Sequence, residues 1–257
     1  MAVAVGIAAV LAATHPAAAD RQATIDKVRG SVVAVGTFER TRSPQFQFLG
    51  TGFAVGDGTT VVTNAHVLPA VLDPARQETL AVLLPGISQG AQDNDQVHAR
   101  DAKRIAVDAN ADLALLKIGG APLPALTIRD SDAVREGQEV LFTGFPIGAV
   151  LGPFPATHRG MVAVVTPIAI PQGRASDLNP AVVRRLSTGS FPVFQLDATA
   201  YPGNSGSPVY DPDTGEVIGI VNMVLVRGTK ETALSQPSGI TYAVPSKHLK
   251  SLLDKAR

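Results

Sequence analysis

The sequence predicts an all-β fold of two six-stranded barrels followed by a C-terminal α-helix. Short apolar runs of strand length recur in two sets of six, and 24 glycines and 19 prolines supply turns between them. Between the two sets, residues 119–137 begin rich in Gly and Pro and then become polar, which is typical of a connection. A chain of 257 residues has room for one large β domain or two small ones.

The first set of apolar runs predicts a barrel over about residues 30–118. A short helix is expected before it, over residues 20–29, because Ile25 and Val28 share one helical face and Gly30 is a common helix terminator. The six strands are predicted at residues 32–35, 52–55, 61–63, 80–84, 104–107 and 113–118.

The second set predicts a barrel over about residues 137–245. Its strands are predicted at residues 140–144, 161–167, 193–198, 208–210, 217–226 and 240–244. Residues 246–257 follow as a predicted amphipathic helix with Ser246 as its N-cap, because Leu249, Leu252 and Leu253 are spaced i, i+3 and i+4.

Residues 1–19 have the features of a signal peptide. An apolar run of small residues extends from Ala2 to Ala13, too short to span a bilayer, and Ala17, Ala18 and Ala19 form a small-residue cleavage site. Cleavage there leaves residues 20–257 as the mature chain. No Lys or Arg precedes the apolar run, so either the true start lies upstream or export is inefficient. A buried N-terminal helix is the alternative interpretation.

Composition excludes several function classes. The 22 Lys and Arg residues balance 22 Asp and Glu residues, so we expect no nucleic-acid partner. No His-Glu-x-x-His motif, calcium-loop spacing or glycine-rich nucleotide loop is present, so we expect no metal and no cofactor. The absence of cysteine is compatible with a reducing compartment, but a bacterial periplasmic protein needs no disulfides either.

Residues 203–208, Gly-Asn-Ser-Gly-Ser-Pro, are the most informative stretch of the chain. A nucleophilic serine needs an exposed Oγ and neighbouring backbone N–H groups that hold the developing oxyanion. Gly203 and Gly206 permit the tight conformations that such a turn requires. Taken alone, the stretch also fits an ordinary turn, since Asn, Ser and Gly are common turn residues.

Two further segments favour the catalytic interpretation. His66 lies where the predicted strand at residues 61–63 ends, and Asp112 immediately precedes the apolar strand at residues 113–118. A serine hydroxyl is a poor nucleophile until a histidine accepts its proton, and that histidine must be oriented by a buried acid. The chain order His66, Asp112, Ser205 therefore supplies each group that such a mechanism needs.

These three segments resemble the signatures of chymotrypsin-fold serine endopeptidases, and most closely the bacterial Deg/HtrA type of protease domain. The resemblance includes residues 27–33, 50–53 and 217–220, and it covers nearly the whole chain from about Ile25 to the C-terminal helix. It implies two six-stranded antiparallel barrels of the chymotrypsin type, with a catalytic cleft between them. It also implies protein or peptide substrates. The predicted signal peptide indicates a periplasmic or secreted location.

The resemblance implies a role for each site residue. Ser205 attacks the scissile carbonyl, His66 transfers the proton, and Asp112 orients His66. The oxyanion hole is formed by residues 203–205, Gly203, Asn204 and Ser205, with the N–H groups of Gly203 and Ser205 as donors. Asp108 is the rival acid, but it lies in a polar turn, whereas Asp112 directly precedes the buried strand.

Other histidines lack a comparable context. His15 lies in the presumed signal, His98 and His158 lie in polar stretches, and His248 lies on the last predicted helix. We therefore expect none of them to be the general base.

Two residues next to the nucleophile differ from related families. Asn204 replaces the Asp that pairs with a new N-terminal amine in trypsin-like digestive proteases, so we expect no activation cleavage beyond signal removal. Ser207 replaces the Gly that is usual in Deg/HtrA proteins and is shared with glutamyl endopeptidases.

Three positions indicate the character of the S1 pocket by resemblance. Thr199 stands six residues before the nucleophile, where trypsin-like enzymes carry an Asp that selects Lys and Arg. Val221 stands where glutamyl endopeptidases carry a His that binds the substrate carboxylate. A pocket formed by Thr199, Ala200 and Val221 is uncharged, so we expect small or medium aliphatic P1 residues such as Val, Ala or Leu.

Two alternative functions belong to other classes. One is a binding or chaperone-like module on a protease scaffold. The other is a latent protease whose oxyanion loop is ordered by a partner, through residues 200–202 or the long loop at residues 171–190. Deg/HtrA relatives usually carry PDZ domains, for which no residues follow here, so we expect substrate capture without one. Many relatives are trimers, which makes a homotrimer one candidate oligomeric state.

Overall fold

The computed structural model describes residues 17–84, 99–147, 154–167, 191–222 and 239–256. Within these ranges, two α-helices flank two sets of six strands. The elements are α1 (Ala17–Arg29), β1 (Val32–Phe38), β2 (Phe46–Val55), β3 (Thr60–Asn64), β4 (Thr79–Leu83), β5 (Ala99–Asp108), β6 (Leu113–Ile118), β7 (Glu139–Gly144), β8 (Ala156–Pro167), β9 (Pro192–Asp197), β10 (Pro208–Tyr210), β11 (Val217–Val221), β12 (Ile240–Pro245) and α2 (Ser246–Lys255).

Each set of six strands closes into an antiparallel barrel, which confirms the predicted fold class. The neighbour order is β1-β2-β3-β6-β5-β4 in the first barrel and β7-β8-β9-β12-β11-β10 in the second. In both, the first and last strands of the order also pair, as β1 with β4 and β7 with β10. Closure leaves neither barrel with an unpaired sheet edge.

Three strands begin about five or six residues earlier than their apolar runs predict. β2 begins at residue 46 rather than 52, β5 at 99 rather than 104, and β8 at 156 rather than 161. In β5, the polar residues Arg100 and Lys103 pair with Val82 of β4 and Lys117 of β6. Backbone pairing with a neighbouring strand extends such strands regardless of side-chain polarity.

Three predicted features extend outside the described residues. The strand predicted at 217–226 ends at Val221, and residues 223–238 are not among the described residues. The loop predicted at residues 171–190 and most of the predicted signal also lie outside the described ranges.

The helices differ from their predictions at three ends. α1 begins at Ala17, three residues before the predicted start, and α2 ends at Lys255 rather than residue 257. Ser246 is not an N-cap: it is the first residue of α2, it is fully buried, and its Oγ donates to Arg129 O at 2.6 Å. The hydroxyl therefore ties α2 to the connection between the barrels. Within the described ranges, neither helix is long and apolar enough to cross a membrane.

The connection between the barrels runs along both of them. Leu126 forms a parallel bridge with Val55 of the first barrel, and Ile128 forms one with Val217 of the second. Two backbone hydrogen bonds, each 2.9 Å long, hold the connection against the barrels. Leu126 N–H donates to Ala54 O of the first barrel, and Val217 N–H of the second barrel donates to Thr127 O.

One hydrophobic cluster is shared by both barrels and both helices. Its buried members include Val28, Phe53, Val62, Leu113, Leu115, Leu141, Tyr210, Val217, Ile220, Leu249 and Leu252. A second cluster fills the second barrel and a third fills the first. The shared cluster fixes how the barrels face each other, and the residues at their junction include His66, Asp112 and Ser205.

Candidate active site

His66 is presented by a short turn that follows a buried strand. β3 ends at Asn64, which is fully buried, and the 3-10 turn Ala65–Val67 follows directly. Val67 packs into the core at 5% exposure and Leu68 N–H donates to Ala65 O at 3.2 Å. The turn is thereby anchored at both ends, while the His66 side chain keeps 28% of its surface exposed toward the cleft.

Asp112 is tied to that turn through its backbone. Its φ of +55° lies in the left-handed region, which Asp tolerates better than most residues. Its carbonyl accepts hydrogen bonds from Ala65 N–H at 3.1 Å and from Asn64 Nδ2 at 3.0 Å. The end of β3 and the start of β6 are therefore locked together, and the Asp112 side chain is only 9% exposed.

Ser205 lies in a tight turn that leads into β10 of the second barrel. Asn204 N–H donates to Tyr201 O at 2.9 Å, and Ser207 N–H donates to Asn204 O at 3.0 Å. Gly203 and Gly206 have φ values of +102° and +88°, where a side chain would be strained. The predicted requirement for glycine at these two positions therefore corresponds to an actual backbone conformation.

The three predicted catalytic side chains meet across the barrel junction. His66 Nδ1 lies 2.5 Å from Asp112 Oδ2, and His66 Nε2 lies 3.0 Å from Ser205 Oγ. Asp112 Oδ1 also accepts from the His66 backbone N–H at 2.9 Å. Both carboxylate oxygens thus accept from the same histidine, which fixes the position of its ring.

This geometry sets the direction of the hydrogen bonds. An ionised carboxylate can only accept, so the imidazole proton is assigned to Nδ1. Nε2 then carries a lone pair directed at Ser205 Oγ and can accept the hydroxyl proton. The arrangement can therefore activate Ser205 as a nucleophile.

Asn222 is a member of the site that the sequence analysis did not identify. Its Nδ2 donates to Asp112 Oδ2 at 2.8 Å, and Asn222 is fully buried. The available signal was a polar residue placed directly after the apolar run of β11. Asn222 comes from the second barrel, so the acid of the first barrel is held from both sides of the cleft.

The nucleophile turn offers two open backbone donors. Among the described residues, neither the Gly203 N–H nor the Ser205 N–H donates a hydrogen bond. The N–H of Asn204, the residue between them, is not one of the predicted donors, and it donates to Tyr201 O at 2.9 Å. The two N–H groups that the sequence predicts as oxyanion donors therefore remain available, and Asn204 joins the residues that carry them.

The structure buries the three predicted S1 residues to different extents. Thr199 is half-buried, Ala200 is 7% exposed and Val221 is fully buried. Ala200 and Val221 both belong to the hydrophobic core of the second barrel. Their side chains therefore pack inward, into that core.

His158 packs among aromatic side chains, although the sequence analysis assigned it to a polar stretch. Its ring stacks on Phe142 with centroids 4.8 Å apart and lies 6.2 Å from the Tyr201 ring. The ring is half-buried, and this burial lowers the pKa of His158 below its ordinary value of 6.5. His158 is therefore a neutral packing group at neutral pH.

Asp108, the rival acid, has a local structural role. Its Oδ1 accepts from Asn110 N–H at 2.9 Å and from Ala111 N–H at 3.0 Å, which closes the turn before β6. Of the two candidate acids, Asp112 is the one that reaches His66.

The chain is similar in sequence to known serine proteases. The trypsin-like peptidase domain family matches residues 50–220, a span that includes the three meeting side chains. Among curated proteins, the chain is 30% identical over 209 residues to a probable periplasmic serine endoprotease DegP-like from Marinomonas sp. strain MWYL1, covering 81% of this chain and 35% of that protein. A protein of the same description from Halomonas elongata is 28% identical over 224 residues, covering 87% and 37%.

Solved structures with the same fold include HtrA-type proteases. AlgW with a decapeptide superposes with a TM-score of 0.62 at 22% identity, covering 92% of this chain and 67% of that one. AlgW with a tripeptide superposes with a TM-score of 0.61 at 22% identity, covering 91% and 62%. At these identities the likeness shows the fold. The chain spans about a third of the length of the curated relatives it matches.

Proposed function

The chain belongs to the trypsin-like peptidase domain family, and on that premise we propose that it is a serine endopeptidase. The observation that carries the proposal is the continuous hydrogen-bonded path from Asp112 through His66 to Ser205, with distances of 2.5 and 3.0 Å. Its substrates are peptide bonds in unfolded or exposed segments of proteins.

Acylation is the first half of the proposed reaction. Ser205 Oγ attacks the scissile carbonyl carbon while its proton passes to His66 Nε2. The Gly203 and Ser205 N–H groups stabilise the oxyanion of the tetrahedral intermediate, where loss of one donor typically costs about 2.7–4 kcal/mol. His66 then donates the proton to the leaving amine nitrogen as the C–N bond breaks. Asp112 stabilises the positive charge that His66 carries in between.

Deacylation reverses these roles. A water molecule attacks the Ser205 ester carbonyl while His66 Nε2 accepts a proton from that water. Collapse of the second tetrahedral intermediate breaks the bond to Ser205 Oγ, which recovers its proton from His66. The partial exposure of the His66 side chain gives water access to this position.

We also propose a preference for small or medium aliphatic P1 residues. Support comes from the neutral character of Thr199, Ala200 and Val221, none of which could neutralise a charged P1 side chain. Asn204 is buried and uncharged, so no ion pair with a new N-terminus is required for activity. We therefore propose that no activation cleavage is needed beyond removal of residues 1–19.

The proposed location is periplasmic or secreted. Support comes from the apolar segment followed by Ala17, Ala18 and Ala19, and from relatives that are described as periplasmic endoproteases. Cleavage after Ala19 would fall within the first turn of α1, which begins at Ala17.

The activity is tested by fluorophosphonate labelling of the purified protein, with Ser205→Ala as the matched control. We expect stoichiometric labelling of the wild type and none of the variant, because the reagent requires both an activated serine and a formed oxyanion hole. Hydrolysis of an unfolded protein should fall by about 10⁶-fold in the variant. Folded wild-type protein that takes no label would support a latent protease or a binding module instead.

The P1 preference is tested by profiling a peptide library with wild-type protein that reacts with the fluorophosphonate. Cleavage after Val, Ala or Leu is the expected result. Cleavage mainly after Arg, Lys or Glu would contradict the proposed pocket.

A further inference from the structure

Thr51 of β2 connects the first barrel to the nucleophile turn of the second. Its N–H donates to Ser205 O at 2.8 Å, and its Oγ1 bonds to Gly203 O at 2.7 Å and to Phe145 N at 3.0 Å. Its carbonyl accepts from Thr63 Oγ1 at 2.7 Å, and the residue is fully buried. Every polar atom of Thr51 is therefore engaged, and three of these bonds reach across to the second barrel.

The directions of the two hydroxyl bonds follow from their partners. The carbonyl of Gly203 can only accept, so the Thr51 hydroxyl proton points to it. The Phe145 N–H can only donate, so it points to a lone pair of Thr51 Oγ1. Only a side chain that donates and accepts at the same position can satisfy both groups, which serine could do and valine could not.

The peptide that Thr51 holds is the one between the two oxyanion donors. Gly203 C=O and Asn204 N–H belong to the same planar peptide group. Thr51 Oγ1 holds its carbonyl, and Tyr201 O holds its N–H at 2.9 Å. Rotation of this peptide would change the relative directions of the Gly203 and Ser205 N–H groups.

The nucleophile turn needs such hydrogen bonds because a glycine stands at each end of it. Gly203 and Gly206 have few steric restrictions on rotation, so hydrogen bonds and contacts must select their conformation. A Cβ at Gly206 would lie 2.0 Å from Thr51 O, and one at Gly203 would lie 2.3 Å from Phe145 O. The turn therefore rests directly on the backbone of Thr51 and Phe145.

We propose that the Thr51 hydroxyl is a positioning group that orients the oxyanion hole. It acts through the Gly203–Asn204 peptide and does not touch the substrate. The catalytic part of this proposal rests on the proposed endopeptidase function, whereas the ordering of residues 203–206 does not.

The experiment compares wild type, Thr51→Val and Thr51→Ser in three measurements. These are steady-state kcat and KM on a peptide substrate, the fluorophosphonate labelling rate, and amide hydrogen exchange of residues 201–207. Loss of a whole oxyanion donor costs about 10²–10³-fold in kcat, and a misaligned pair should cost less. For Thr51→Val we expect about a 10- to 100-fold loss in kcat and labelling rate, with KM changed less than threefold.

Thr51→Ser supplies the rescue, because it restores both hydrogen bonds without the methyl group. We expect its kcat within about threefold of wild type. Hydrogen exchange at Asn204 and Ser207, whose amides close the nucleophile turn, should be faster in Thr51→Val only.

Thr143→Val is the matched control for general destabilisation. Thr143 is also fully buried, and among the described residues its hydroxyl bonds to the hydroxyls of Thr157 and Tyr210, at 2.8 and 2.9 Å. We expect a lowered melting temperature in this variant, with kcat within about twofold of wild type.

Two results would overturn the proposal: Thr51→Val with wild-type kcat and wild-type exchange, or Thr51→Ser as impaired as Thr51→Val. Should the wild type neither label nor cleave peptides, the endopeptidase function fails separately. Exchange of residues 201–207 in the two Thr51 variants then decides whether the hydroxyl orders the turn.

Discussion

Asp112 shows how a single residue joins the two halves of the site. Its carboxylate accepts from the His66 backbone, from the His66 ring and from Asn222, while its carbonyl accepts from the end of β3. The left-handed backbone at φ +55° is a strained conformation for a residue other than glycine. The bonds on both sides of Asp112 hold that conformation in place.

The first prediction concerns Asn222. A hydrogen bond to a charged group contributes about 1.5–3 kcal/mol, so Asn222→Ala should reduce kcat/KM by about 10- to 100-fold. The reason is that Asp112 Oδ2 loses the donor that holds it from the second barrel. The measurement is kcat/KM on a peptide substrate, with the melting temperature recorded in parallel.

Asn110→Ala is the control for this prediction. Asn110 is exposed and lies in the turn just before Asp112, so its replacement should leave kcat/KM unchanged. A kcat/KM for Asn222→Ala within twofold of wild type would show that Asp112 is held adequately by His66 alone.

At the scale of elements, α2 fastens the two barrels from one side. Leu249 is fully buried and Leu252 is 4% exposed, and both belong to the cluster shared by the barrels. The predicted amphipathic face of this helix therefore packs on the junction. Its first residue, Ser246, is bonded to Arg129 of the inter-barrel connection.

The second prediction tests that role. Leu249→Ala should lower the free energy of unfolding by about 2–5 kcal/mol, because it leaves a cavity in the shared cluster. Ser251→Ala, at an exposed position of the same helix, should change it by less than about 0.5 kcal/mol. Urea unfolding followed by circular dichroism measures both, and equal midpoints for the two variants would contradict the proposed role of α2.

Strand lengths illustrate a limit of local sequence patterns. Residues 113–118 and 208–210 were predicted with the observed bounds, because each is an apolar run that is buried on both faces. β5 exposes much of its length and carries charged residues, so its apolar run showed only part of it. Neighbouring strands supply the hydrogen bonds that extend β5, and a local pattern carries no information about them.

At the scale of the whole molecule, two half-buried histidines affect stability. Burial lowers the pKa of His158 and also that of His248, whose pKa is lowered further by Lys247 and raised less by Asp108 and Asp132. Both rings pack against aromatic side chains, His158 on Phe142 and His248 on Phe191. Protonation of either ring in the folded state is therefore unfavourable.

The third prediction follows from the sign of these shifts. As the pH falls through 6.5, the unfolded histidines bind protons before the folded ones do. The unfolded state then binds more protons, so the free energy of unfolding decreases as the pH decreases. Well above pH 6.5 both states are neutral at these positions, and their contribution is constant. The free energy of unfolding should therefore decrease as the pH is lowered from 7 to 5.

His158→Phe keeps the aromatic stack and removes one titrating group. Its unfolding free energy, measured in urea between pH 5 and 8, should fall less steeply on acidification than that of wild type. A slope identical to wild type would show that His158 is protonated equally in the folded and unfolded states.

The sequence by itself determined the chemistry and the architecture of this protein. His66, Asp112 and Ser205 could be predicted because each lies in a short local motif, at a strand end or in a glycine-rich turn, and the three motifs together resemble those of a known family. The two sets of apolar runs likewise predicted two barrels, since burial imposes hydrophobicity on each strand separately.

Only the tertiary structure decided how these groups are held. Asn222 reaches Asp112, and Thr51 reaches Gly203, across 110 and 152 residues of chain. The wrong prediction of Ser246 as an N-cap has the same origin. Its hydroxyl donates to the carbonyl of Arg129, 117 residues away, and not to its own helix. Such bonds depend on the packing of one barrel against the other, and no local pattern specifies which distant group a buried polar atom meets.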